Sequence, residues 1–136
     1  MSIRPTTARL LSELDHRRID LLLTRSDAQR FVELHSLLDD ADIVPAPEVP
    51  ADVVTMYTQL VVEDPDGSNR RQLTLCYPND ADPAAGLVSV LSPIGGALLG
   101  RRRGDEVAWT TPTGSTQRLR IVELAFQPEA SGDYTM

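Results

Sequence analysis

The chain has no lysine. All 13 of its basic residues are arginine, and with 20 acidic residues the formal net charge is -7. The missing lysine excludes Schiff-base chemistry and the P-loop type of phosphate site, since both need a lysine amine. The acidic balance argues against non-specific nucleic-acid binding, which depends on a basic surface that neutralises phosphates. One dense basic run, Arg101-Arg102-Arg103, still predicts a local patch that contacts carboxylates or phosphates.

Thiol and imidazole groups are also scarce. Cys76 is the one cysteine, so no disulfide can form within the chain, and a reducing compartment is favoured. It lies in a predicted strand without a partner base and is interpreted as a buried structural thiol. His16 and His35, the two histidines, lack the short-spaced ligand pattern of a metal site and are interpreted as surface or hydrogen-bonded side chains. The pattern predicts no catalytic residue, no metal and no cofactor.

Long apolar runs are absent as well. The apolar stretches fall far short of the roughly 20 residues of a membrane-spanning helix, and the N-terminus lacks the apolar core of a signal peptide. With 41% hydrophobic and 24% charged residues, the composition predicts a soluble, cytoplasmic globular protein without a membrane partner.

Proline content divides the chain near residue 45. Residues 45–50 read Pro-Ala-Pro-Glu-Val-Pro, with three prolines in six positions. Proline lacks a backbone donor and biases its neighbour towards extended geometry. We therefore predict a helical module over residues 1–44, a stiff linker over 45–51 and a second domain over 52–136.

The N-terminal module is predicted to be an antiparallel hairpin of two short helices, a short coiled coil. Asp15 is the expected N-cap of the first helix, and Ser26 with Gln29 forms the expected capping box of the second. The predicted tip is Arg25, Ser26 and Asp27. The apolar faces are formed by Ile19, Leu22 and Leu23 on the first helix, and by Phe31, Leu34, Leu38 and Ala41 on the second.

An acidic run, Asp39, Asp40 and Asp42, follows the second predicted helix. Acidic side chains at a helix C-terminus are unfavourable for its dipole. Two interpretations stay open, a solvated and frayed helix end, or a contact with a divalent cation or a basic partner.

The C-terminal part is predicted to be α+β, a mostly antiparallel sheet with one helix. A turn over residues 65–69, Pro-Asp-Gly-Ser-Asn, joins the first two strands. Ser92 can cap the helix, Pro93 suits its first position, and Gly100 ends it. The small residues Gly95 and Gly96 indicate close packing of this helix on the sheet. The predicted strands are residues 53–63, 72–77, 87–91, 106–110 and 117–126.

Four blocks of the C-terminal part resemble the C-terminal domain of the bacterial transcript cleavage factors GreA and GreB. They are residues 92–100, 104–105, 112–114 and 121–124. Residues 52–56 and 127–134, together with the short helical N-terminus, are similar to the Rnk type of this family, the regulators of nucleoside diphosphate kinase. The resemblance implies an FKBP-like domain and a cytoplasmic regulator. Such a regulator binds RNA polymerase near its secondary channel, competes with Gre factors and makes no direct sequence-specific contact with nucleic acid.

The resemblance also suggests which residues act. It implies polymerase contacts at Ser92, Pro93 and Ile94, beside the cluster Arg101, Arg102 and Arg103. The predicted tip carries one acid beside an arginine, and a divalent cation prefers several oxygen ligands, so no enzymatic activity is expected. A hairpin appended to a compact domain favours a monomer. Two alternatives stay open. The first is a GreA/GreB-like elongation factor that stimulates transcript cleavage. The second is a prolyl isomerase, which is the less favoured of the two because only 4% of the residues are aromatic and able to line its pocket.

Overall fold

The computed structural model describes residues 9–24, 32–111 and 113–132. The predicted tip residues Arg25, Ser26 and Asp27, together with Gln29 and Phe31, lie outside these ranges. None of the helices in the described ranges is long and apolar enough to cross a membrane. In chain order the elements are β1 (Leu10–Ser12), α1 (Glu13–Thr24), α2 (Val32–Asp40), β2 (Asp42–Val44), β3 (Gln59–Glu63), β4 (Arg71–Cys76), β5 (Leu87–Ser89), α3 (Pro93–Leu98), β6 (Glu106–Thr110) and β7 (Thr116–Phe126).

A five-stranded sheet with the order β5-β4-β3-β7-β6 forms the centre of the fold. The β3–β4, β3–β7 and β6–β7 pairs are antiparallel, and the short β4–β5 pair is parallel. This confirms the predicted α+β class and the mostly antiparallel sheet. The β3–β7 register shifts twice, and such bulges increase the local twist of a sheet.

The connection between β3 and β4 follows the sequence prediction. Gly67 and Asn69 have positive φ angles of 88° and 55°, which glycine and asparagine tolerate better than other residues. The Asp66 carboxylate accepts hydrogen bonds from the backbone N–H and the hydroxyl of Ser68, at 2.9 and 2.6 Å. These local bonds close the turn, so its sequence was sufficient to predict it.

The first predicted strand of the sheet, residues 53–63, is only partly a strand, because β3 begins at Gln59. The preceding residues form a turn in which the Thr58 hydroxyl accepts from the Thr55 N–H at 2.9 Å. Tyr57 adopts a φ of +64°, a region that bulky side chains rarely occupy. Threonine side chains that bond to nearby backbone compete with sheet pairing, which explains why the apolar pattern overestimated the strand.

Asp15 is not the N-cap of the first helix. The Ser12 hydroxyl accepts from the Asp15 N–H at 3.1 Å, which is the bond that an N-cap side chain makes to the third residue of a helix. The helix therefore starts at Glu13, and Asp15 lies in its first turn with 1% of its surface exposed. The preference of aspartate for caps led to the wrong residue, because Ser12 satisfies the same pattern three residues earlier.

Two strands that the sequence did not predict flank the N-terminal helices. β1 and β2 pair in parallel, with Leu11 opposite Ile43. Each strand has three residues, too few to show an alternating pattern. Next to them, residues 46–48 form one 3-10 turn, and the Val49 side chain is buried with Leu10 and Val53.

The hydrophobic core runs through both parts of the chain. Leu11, Ile19 and Leu23 of the N-terminal part belong to the same buried cluster as Leu60 and Leu75 of the sheet. The helices are therefore packed on the sheet. The division at residues 45–51 stays a prediction about folding units.

Candidate partner-binding surface

The corner between β5 and α3 is held by Ser92. Its hydroxyl accepts from the Gly95 N–H at 3.1 Å and donates to the Ser89 carbonyl oxygen at 2.6 Å. This confirms the predicted N-cap. Pro93, in the first turn, is exposed, and Ile94 is half-buried against the hydrophobic core. The corner thus presents Pro93 on a backbone that is fixed on both sides.

Close packing at this corner requires glycine. A Cβ atom at Gly95 would collide with the Ser89 carbonyl oxygen. The N-terminal turn of α3 therefore lies directly against the end of β5, as the paired glycines predicted. The backbone that carries Ser92 and Pro93 is consequently packed in direct contact with the end of β5.

The C-terminal end of α3 is held by Arg9, a residue to which the sequence pattern gave no role. Its guanidinium donates to the carbonyl oxygens of Gly96 and Leu99, the second at 3.1 Å. The Leu10 N–H also donates to the Gly100 carbonyl oxygen at 3.2 Å. These groups lie 87 to 90 residues apart in the chain, so no local pattern could have indicated the contact.

The arginines of the predicted patch differ in their surroundings. Arg101 is half-buried, and its Nε donates to the Ala97 carbonyl oxygen at 3.4 Å. Arg102 approaches the Asp52 carboxylate at 3.4 Å. Arg103 is exposed. The three side chains are therefore not one uniform basic surface, and Arg103 is the one that solvent reaches most freely.

Arg9 adds a fourth positive charge next to this patch. Burial and the nearby charge of Arg101 lower the pKa of Arg9 to about 10, and burial also lowers the pKa of Arg101. Two guanidinium groups are thus near each other in a partly desolvated place, and the negative charge of Asp105 acts on Arg101. An acidic group of a partner would reduce this repulsion, because an opposite charge stabilises the charged form of each arginine.

Other candidate residues have structural contacts. His16 donates through Nε2 to the Leu38 carbonyl oxygen at 3.1 Å, which joins α1 to α2. Cys76 is buried, its thiol lies 3.4 Å from the Val88 carbonyl oxygen, and burial raises its pKa. Asp39 and Asp40 are exposed at the end of α2. Within the described residues, no three His, Cys, Asp or Glu side chains are grouped to hold a metal ion.

The sequence and the fold match a family of transcription proteins. The family model described as "Transcription elongation factor, GreA/GreB, C-term" matches residues 49–126, more than half of the chain. A solved structure, the prokaryotic transcription elongation factor GreA/GreB from Nitrosomonas europaea, superimposes with a TM-score of 0.74 at 36% identity. It covers 87% of this chain and 99% of that one. The chain belongs to the GreA/GreB-related family.

Two relatives show which type of protein within this family the chain is similar to along its length. The chain is 37% identical to the regulator of nucleoside diphosphate kinase of Escherichia coli (strain K12), over 98% of both chains. It is 32% identical to transcription elongation factor GreA of Nitratidesulfovibrio vulgaris, but over 72% of this chain and 61% of that protein. The similarity to the regulator thus includes the N-terminal helices, which agrees with the Rnk-type resemblance of the sequence.

Proposed function

We propose that the chain is a regulator that binds RNA polymerase and competes with Gre factors near the secondary channel. The observation that carries this proposal is the GreA/GreB match over residues 49–126, which includes the whole surface at Ser92 to Ile94 and Arg101 to Arg103. In the family, the corresponding corner is the expected contact with polymerase. The rigid placement of Pro93 on a capped helix suits a contact with a protein surface.

The charge distribution supports a protein partner over free nucleic acid. The chain as a whole carries -7, whereas Arg9, Arg101, Arg102 and Arg103 lie together at one end of α3. A helix of six residues is about 9 Å long, so Pro93 at its start and the arginines after its end are within the length of one short acidic segment of polymerase. A phosphate backbone would meet a net repulsive field outside this patch.

We further propose that the chain has no catalysis of its own and acts in the cytoplasm as a monomer. Regulation of nucleoside diphosphate kinase would follow from the full-length relative, through direct contact or through expression. The C-terminal part would act as an FKBP-like docking domain that carries a short helical hairpin. Each of these statements extends the family assignment.

Binding to bacterial core RNA polymerase tests the proposal, with GreA measured in parallel. We expect the full chain to bind and to be displaced by GreA. Arg103→Glu should weaken binding about two- to fivefold at low salt, because exposed ion pairs contribute about 0.2–1 kcal/mol each. The effect should be smaller at physiological salt, where charges are screened over about 8–10 Å. Pro93→Ala should weaken binding at both salt concentrations.

The matched control is Arg118→Glu, which changes the net charge equally on an exposed strand residue of β7. It should bind like the unchanged chain. Absence of binding under conditions in which GreA binds would refute the proposal. Equal loss of polymerase binding in Arg103→Glu and Arg118→Glu would show that the contact does not lie at α3.

The alternative is a GreA-like factor that stimulates transcript cleavage, which the 32% identity to a GreA protein favours. Cleavage in backtracked complexes distinguishes the two functions, and we expect none above the level of polymerase alone. Cleavage that Asp27→Asn abolishes would establish the alternative.

A further inference from the structure

A carboxyl group is buried where α1 meets the turn that precedes β3. Asp15 has 1% of its surface exposed, although it lies in the first turn of a helix. Its Oδ2 atom accepts from the Met56 N–H at 3.1 Å. These two residues are 41 positions apart, and their bond is a direct polar connection between the N-terminal helix and the segment that leads into the sheet.

The turn on the other side of this bond is held in an unusual conformation. Tyr57 follows Met56 with a φ of +64°, and its N–H donates to the Leu75 carbonyl oxygen at 2.6 Å. Strained backbone of this kind persists only where surrounding contacts impose it. The Met56 N–H is therefore pointed at Asp15 by a turn that is fixed to β4.

Three charged or titratable groups act on Asp15 from different parts of the fold. Arg18 comes from the next part of α1, Tyr77 from the end of β4, and Glu129 from the 3-10 turn that follows β7. The Glu129 carboxylate accepts from the Thr55 hydroxyl at 2.6 Å, which holds its negative charge beside the turn. Arg18 and the Ser12 hydroxyl favour the ionised form of Asp15, and Glu129 disfavours it.

Desolvation is the largest of these effects. It raises the pKa of Asp15 to about 7, despite the Met56 N–H, which lowers it. A buried carboxylate loses its hydration, and a single backbone N–H with a nearby guanidinium does not replace it. Protonation of this group thus falls in the neutral pH range, where few carboxyl groups titrate.

We propose that Asp15 is a protonation-controlled joint between α1 and the turn at residues 55–58. The neutral carboxyl holds the first turn of the helix against this turn, and ionisation loosens the attachment. The helices become more mobile against the sheet as the pH rises. The proposal does not depend on which partner the chain binds.

The direction follows from linkage. The pKa of Asp15 is higher in the attached state than the roughly 3.9 of a free aspartate. The stabilisation that the neutral carboxyl gives to the attachment is therefore fully present below a pH of about 3.9, decreases as the pH rises towards 7, and is lost above 7. The constant for opening the joint rises about tenfold per pH unit across this range and then levels off, because one proton is lost on opening.

Hydrogen exchange of the full chain between pH 5 and 8.5, corrected for intrinsic rates, tests the joint. We expect peptides from α1 and residues 53–58 to show the tenfold rise per pH unit and a plateau above pH 7. Asp15→Asn keeps an acceptor for Met56 without a charge, so its opening should not depend on pH. Asp20→Asn, an exposed change in the same helix, should behave like the unchanged chain.

The proposal would be overturned if opening in the unchanged chain did not depend on pH. It would also be overturned if opening in Asp15→Asn kept the pH dependence of the unchanged chain. Parallel loss of protection in the central strands would do so too, since it indicates global unfolding. A carbon-13 titration of the unchanged chain is independent of whether the variant folds. One aspartate carboxyl should titrate near pH 7, and titration of every aspartate below pH 5 would refute the joint.

Discussion

Gln127 joins the end of β7 to the segment before β3. Its Nε2 donates to the carbonyl oxygens of Pro50 and Val53 at 2.8 and 2.6 Å, and its Oε1 accepts from the Ala130 N–H at 3.1 Å. With 4% of its surface exposed, it is a buried amide whose polar atoms are all bonded. In the closing block of the chain, one side chain therefore makes three bonds to the backbone.

Gln127→Leu should destabilise the fold by about 1–3 kcal/mol, because it leaves buried backbone groups without their partner. The free energy of unfolding, measured from a urea titration, gives this difference. Gln117→Leu, an exposed change on β7, is the control and should stay within about 0.5 kcal/mol. Equal midpoints for the two variants would show that the amide bonds do not contribute.

At the scale of elements, α3 shows how a very short helix is maintained. Isolated helices of fewer than about 12 residues are marginal in water, and α3 has six. Ser92 supports its first turn, Arg9 binds carbonyl oxygens near its end, and Leu98 is buried in the core. The element that presents the proposed contact surface is thus stabilised from outside itself.

Arg9→Met should destabilise the protein by about 1–2 kcal/mol, since it keeps an apolar stem but removes charged donors from α3. Hydrogen exchange should show the loss at residues 96–100 in particular. Arg17→Met, on the exposed side of α1, provides the control. If protection of α3 is the same in both variants, Arg9 is not what holds the helix.

At the scale of the whole molecule, one hydrophobic cluster includes side chains from α1, α2 and the sheet. The proline-rich residues between them do not separate two cores, because Val49 is itself buried against Leu10 and Val53. A shared core makes unfolding cooperative.

We therefore expect a single unfolding transition in urea at pH 6, where Asp15 is mostly neutral. Fluorescence of Trp109, the one tryptophan, reports on β6, and circular dichroism reports mainly on α1 and α2. The two signals should give the same midpoint. Separate midpoints would show that the helical module and the C-terminal domain are independent folding units.

Much of the C-terminal part could be predicted from sequence because its signals are local. The turn at residues 65–69, the Ser92 cap and the strands at 106–110 and 117–126 depend on neighbours within a few positions. The surface at Pro93 and Arg103 was predicted from family resemblance and a run of arginines, and it stays a prediction. The predictions for Asp15 and for the start of β3 were wrong because a short polar side chain makes a competing local bond at each place.

The sequence by itself determined the fold class, the family, the capped corner and the absence of lysine chemistry. Only the tertiary structure decided that Asp15 is buried beside Met56, that Arg9 supports α3, and that β1 pairs with β2. The physical reason is distance along the chain. Contacts across 41 and 87 residues leave no periodic or spacing signal, and the burial that shifts the pKa of Asp15 exists only once the helix is packed on the sheet.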